Sequence, residues 1–125
     1  MKRLAFALAA AALTVPAGQA FAHHSAAIFD FRNPVTAKGR VVAVKVANPH
    51  THMVLTITDA KGTREWTFEG HSASNFYRAG YTRDAVKPGD EISITYAPMR
   101  DGKDGGYIVA FTTPSGTHVG FDPPG

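Results

Sequence analysis

From Val35 onward, apolar and polar residues alternate in short runs divided by turn residues, a period of two that predicts a series of short strands. Val35 to Ala47 is rich in β-branched residues, with Val42, Val44 and Val46 expected on one face. Asn48-Pro49 ends or bends that strand, because proline has no amide hydrogen for the ladder. Thr51 to Thr58 sends Met53, Leu55 and Ile57 one way and His52, Val54, Thr56 and Thr58 the other. Asp59-Ala60-Lys61-Gly62 is a hairpin turn, and Thr63 to Gly70 follows with Trp66 and Phe68 set against Glu65, Thr67 and Glu69. Ser72 to Ala79 breaks the alternation. Its N-capping serine and the glycine at position 80 predict a short helix. After the Lys87-Pro88-Gly89-Asp90 turn, Glu91 to Tyr96 places Ile92, Ile94 and Tyr96 on one side. The glycine-rich loop Asp101 to Gly106 leads to a last strand, Tyr107 to Thr113, and Pro114-Ser115-Gly116 turns into a short tail.

Strand, strand, strand, short helix, strand, strand is the element order of an OB-fold. The expected class is therefore mainly β: a small five-stranded OB-like barrel over residues 35–125, with one short helix between strands three and four. Trp66, Phe68, Tyr96 and Phe111 are assigned to its core, and Phe76, Tyr77 and Tyr81 to the seal at one barrel end. Residues 23–34 form an N-terminal arm in which Ile28, Phe29 and Phe31 are apolar enough to dock.

The first 22 residues read as an export signal. Lys2 and Arg3 give the positive start, Leu4 to Val15 an apolar run too short to span a bilayer, and Ala20 and Ala22 the small residues of a cleavage site. Cleavage after Ala22 makes His23 the new amino terminus, followed by His24. A free amine and an imidazole on one residue close a chelate that suits Cu(II). Cleavage after Ala20 instead puts His23 third, another arrangement that holds copper or nickel. Without Lys2 and Arg3 the chain carries 11 basic and 10 acidic residues, scattered, which argues against a nucleic-acid partner. Cysteine is absent, so an exported domain must rely on packing and hydrogen bonds. The expected location is periplasmic, with no stable membrane insertion of the mature chain.

A turn symmetric about Ala60-Lys61 fixes the hairpin register. Thr58 then faces Thr63 and Thr56 faces Glu65, while Leu55 meets Trp66 and Met53 meets Phe68 on an apolar face fit for a barrel interior. Continued along the polar face, the register sets His52 opposite Glu69 and His50 opposite His71. Three imidazoles and a carboxylate at one end of a hairpin form a donor set for copper or zinc. Each residue alone also has a plain structural role: His52 and Glu69 as an exposed pair, His50 at a bend, His71 at a helix start. His118 lies in the tail and takes no part. Asp101 to Gly106 lacks both the acidic spacing of a calcium loop and the Gly-Lys-Ser/Thr of a phosphate loop, and reads as a turn. No Gly-x-Ser-x-Gly element is present, so no enzyme is expected.

Taken together, Ala22-His23-His24-Ser25, Asn48-Pro49-His50, Trp66, Glu69, Lys87-Pro88-Gly89-Asp90, Asp101-Gly102 and Gly105-Gly106 carry a likeness. The mature chain resembles a family of small exported bacterial proteins catalogued as a domain of unknown function. The resemblance implies a periplasmic β-barrel and brings no activity with it. The terminal histidine separately resembles the copper-binding amino terminus of periplasmic copper carriers and histidine-brace oxygenases, over one short motif only. The expected function is metal binding, copper before zinc, through His23, His24, His50, His52, Glu69 and His71, for carriage, buffering or sensing. The alternative is a metal-free binding module for a peptide, a glycan or an envelope protein. A histidine-brace oxidase ranks last.

Overall fold

The computed structural model describes residues 26–122; the expected signal segment and His23 and His24 lie outside the described residues. Its strands are β1 (Val35–Lys45), β2 (Thr51–Asp59), β3 (Gly62–Gly70), β4 (Glu91–Pro98), β5 (Gly106–Thr112) and β6 (His118–Gly120), with helix α1 (Ala73–Arg78) between β3 and β4. β1 pairs with both β2 and β4, β4 with β5, and β5 closes onto β3 in parallel. The circuit β1-β2-β3-β5-β4-β1 is a closed five-stranded mixed barrel with one short helix, the OB-like architecture. β6 is an addition that alternation did not predict. Three residues are too few to display a period, yet Val119 is fully buried against the barrel.

The hairpin register holds at every rung: Thr58 faces Thr63, Leu55 faces Trp66, Met53 faces Phe68 and His52 faces Glu69. Met53, Leu55, Ile57 and Phe68 are buried, with Ile94, Ile108 and Phe111 completing the interior. The apolar face of β1 differs from expectation. Val41 pairs with Leu55 and Ala43 with Val54, so Val42 is an extra residue that bulges outward and is 38% exposed. The bulge switches phase: Gly39 and Val41 point inward before it, Val44 after it. At the barrel end, Ser72 caps α1 by accepting from the Asn75 amide, and Phe76 and Tyr81 are buried. Tyr77, by contrast, is 52% exposed and seals nothing.

Closure depends on two glycines. Phe68 pairs with Gly106 and Glu69 with Tyr107. A Cβ on Gly105 would stand 2.5 Å from the Thr67 carbonyl oxygen, and one on Gly106 would stand 2.5 Å from that of Ala97. Gly105 also has φ +112°, a conformation that L side chains rarely adopt. The loop before them is tied down rather than loose. Arg64 donates to Asp104 at 2.8 and 3.1 Å and to Asp59 at 3.0 and 2.9 Å, joining the hairpin turn to the β4–β5 connection. Hydrogen bonds to Asp104 first, then Asp59, raise the pKa of Arg64 above its ordinary value.

The arm docks outside the barrel. Phe29 is buried, and its ring meets Phe31 at 6.2 Å and Tyr107 at 5.4 Å, in a cluster with Ala97. Asp30 N–H donates to Pro98 O, and Arg100 N–H to Ile28 O, both at 2.8 Å. Ile28 itself is 45% exposed, so two of the three expected apolar residues do the docking.

Gly105→Ala is expected to cost about 2–4 kcal/mol in urea unfolding, the range for backbone strain combined with a steric clash. Gly102→Ala, at φ +78° with nothing within 4 Å, should cost about 1–2 kcal/mol. Equal losses at the two sites would contradict the closure argument.

Candidate functional site

The polar end of the β2–β3 hairpin is fixed by backbone bonds that continue past the ladder. β2 and β3 last pair at Thr51 and Gly70, and Thr51 N–H then donates to the His71 carbonyl at 3.0 Å. Ala73 N–H donates to Ala47 O at 2.9 Å, which holds the turn before β2 against the start of α1. The ladder ends one rung short of the expected His50–His71 pair, and His50 is near enough to His71 to lower its pKa slightly. The Asn48–Pro49 peptide in this turn is cis.

Within that frame the carboxylate chooses an unexpected neighbour. His52 lies across from Glu69, yet among the described residues no ion pair joins them, and His52 is exposed. Glu69 Oε1 instead stands 3.7 Å from His50 Nδ1. At that distance there is no hydrogen bond, and His50 Nδ1 is shielded from solvent with no partner among the described residues.

His71 sits in an aromatic niche, its ring edge-on to Tyr107 at 5.4 Å and tilted over Phe121 at 5.2 Å. Its Nε2 is 3.1 Å from the Asp122 carbonyl oxygen. A carbonyl can only accept, so Nε2 carries the proton, and Nδ1 is left with a lone pair facing the Asn75 amide at 3.5 Å. An imidazole that donates one N–H to a backbone carbonyl is held in the orientation used by metal-bound histidines. Burial is the largest influence on His71 and pushes its pKa below the ordinary 6.5; the Asp122 carbonyl opposes this, and His50 adds a smaller downward push. Tyr107 is pushed up to about 12, by burial first and then by the charge of Glu69.

Of the expected donors, the hairpin end brings His50 and Glu69 to 3.7 Å of each other, while His52 on the neighbouring rung is turned to solvent. Among the described residues no group of three or more His, Cys, Asp or Glu side chains is placed so that it could hold a metal ion. His118 is exposed on β6. Tyr107 and Asp122 had no signal in the sequence, because each reaches His71 from far along the chain, whereas Asn75 meets it from four residues on. A second feature lies elsewhere, where Val44, Val46, Tyr77, Tyr81, Arg83 and Lys87 line an open cleft of about 240 Å³ between β1 and the segment after α1.

The family model described as "Family of unknown function (DUF6152)" matches residues 10–108. That span includes all six expected metal donors and excludes β6 and Asp122. No curated protein and no solved structure matches the chain.

The depressed His71 pKa gives a pH dependence with a definite sign. As pH falls through 6.5 the unfolded chain takes up the His71 proton before the folded one does. This contribution is intact above 6.5 and is lost as pH falls through the lower folded-state pKa. Chemical denaturation at pH 7.5 and 5.5 should show wild type losing more stability on acidification than His71→Phe. Parallel losses would contradict the buried neutral imidazole.

Proposed function

The chain belongs to the Family of unknown function (DUF6152), and we propose that it is a periplasmic metal-binding protein, selective for copper before zinc. The observation that supports this reading is the pair formed by His50 Nδ1, shielded and without a hydrogen-bond partner among the described residues, and Glu69 Oε1 at 3.7 Å. Two donors held at about 2.1 Å by one tetrahedral ion stand about 3.4 Å apart. The pair therefore needs a shift of only a few tenths of an ångström to grip an ion. His71, fixed in its Nε2–H tautomer, offers Nδ1 as the adjacent donor, and His52 is the reserve on the next rung. The role is carriage, buffering or sensing rather than catalysis. His23 and His24 bring the amine-imidazole chelate that export would create at the amino terminus.

A second reading, a metal-free module for an envelope protein or peptide, draws on the open cleft beside β1, where Tyr77 is exposed next to Arg83 and Lys87. It draws nothing from the outer face of the hairpin, since Trp66 and Phe68 pack toward the core.

Competition titration of the mature protein with Cu(II) and Zn(II) tests the first reading. About one equivalent should bind tightly, and His50→Ala combined with Glu69→Gln should weaken binding roughly 100-fold while circular dichroism stays unchanged. Unaltered affinity and stoichiometry in that variant would remove the hairpin from the account.

A further inference from the structure

We infer that the cleft beside β1 is a strand-addition site for an extended partner segment with aliphatic side chains at alternate positions and carboxylates between them; this rests on the cleft reading and is independent of the metal. β1 outlasts its neighbour on one side. It pairs with β4 only from Val35 to Arg40. Val41 N–H then donates to Asp90 O at 2.8 Å and Gly89 N–H to Val41 O at 2.7 Å, which ends the contact. From Ala43 to Lys45 the strand is still laddered to β2. On the β4 side, among the described residues, no backbone bond reaches Val42 to Val46. The segment that runs past them satisfies itself: Ala85 N–H donates to Thr82 O, and Lys87 N–H to Asp90 Oδ2. That leaves an unpaired strand edge, the template on which another chain adds.

The cleft along this edge has the lining that such a chain needs. Val44 and Val46 form its apolar wall and the buried Tyr81 its floor, with Tyr77 on the rim. Tyr77 is 52% exposed, and Val42 on the bulge is exposed as well, so apolar surface flanks the open edge on both sides. At about 240 Å³ the cleft is smaller than the roughly 300–1,000 Å³ that encloses a small-molecule ligand. It holds one or two side chains of a segment whose backbone lies on β1.

Charge selects the occupant. Arg83 and Lys87 line the cleft and Lys45 lies on the open edge; among the described residues none of the three is ion-paired. The one carboxylate lining the cleft is that of Asp84. Three cations against one anion favour acidic residues in the incoming strand, which speed its arrival and set its register. A second copy of this chain fits poorly, because edge-to-edge pairing of two β1 strands would set these cations against their own copies.

The experiment is selection from displayed random linear peptides of about ten residues, with the mature protein as target and EDTA present. Enriched peptides should alternate aliphatic and acidic residues, and the best one should slow amide hydrogen exchange across Val42 to Val46. Methylating its backbone nitrogens one at a time should block binding at every second residue and be tolerated between, a readout that leaves the protein unaltered. Arg83→Ala combined with Lys87→Ala should weaken binding roughly tenfold at low salt, whereas Lys103→Ala should not. A peptide that binds in the cleft but tolerates methylation everywhere would overturn strand addition and leave the cleft reading standing. No enrichment would overturn both. Enriched sequences without carboxylates would overturn the assigned occupant. So would dimerisation of the free protein that protects the Val42 to Val46 amides, since the occupant would then be a second copy.

Discussion

The parallel contact between β3 and β5 is the constraint on which the rest of the structure depends. A sheet of this size has two edges, and closure removes both only if β5 comes close enough to β3 to share a ladder. That approach is possible because residues 105 and 106 have no side chain: a Cβ at either would press on a carbonyl oxygen of a neighbouring strand. Closure then sets Tyr107 beside Glu69. From Tyr107 the contacts run to His71 on one side and to Phe29 and Phe31 on the other. The glycine-rich loop allows the seam whose end joins arm, hairpin and helix start.

The hairpin shows how a local rule reaches a functional arrangement. One four-residue turn determines every rung, and the alternation of Met53, Leu55 and Ile57 against Trp66 and Phe68 leaves a single register that buries the apolar face. The opposite face then inherits its partners without further choice. Side-chain direction is a separate matter. Glu69 lies across from His52 but leans to His50, because the turn before β2 is drawn against α1 by the Ala73–Ala47 and Thr51–His71 bonds. Those bonds place an imidazole nitrogen out of solvent beside a carboxylate.

Much of this was legible in the sequence, and the rest was not for definite physical reasons. Element order, the OB-like class, the hairpin register, the Ser72 cap and the docking of Phe29 and Phe31 follow from period, turn chemistry and apolar placement. The bulge at Val42 did not, since a single extra residue in a run of valines leaves the alternation ambiguous. β6 did not, because three residues carry no period. The clasp of Arg64 on Asp104 spans 40 positions, and the bond from His71 to Asp122 spans 51. No local pattern announces contacts of that range; only barrel closure brings them together. The His52–Glu69 rung was readable, whereas the lean of Glu69 toward His50 was not.

The central claim is that the hairpin end holds a metal ion through His50 and Glu69 with His71 alongside. Its most direct test is long-range nitrogen–proton NMR of the imidazole rings during a Zn(II) titration, which reports every histidine by its own tautomer. The account predicts that the His50 Nδ1 and His71 Nδ1 resonances move together and saturate near one equivalent, with His71 Nε2 keeping its proton and His118 unmoved. Saturable shifts confined to His118, or none at any ring, would contradict it.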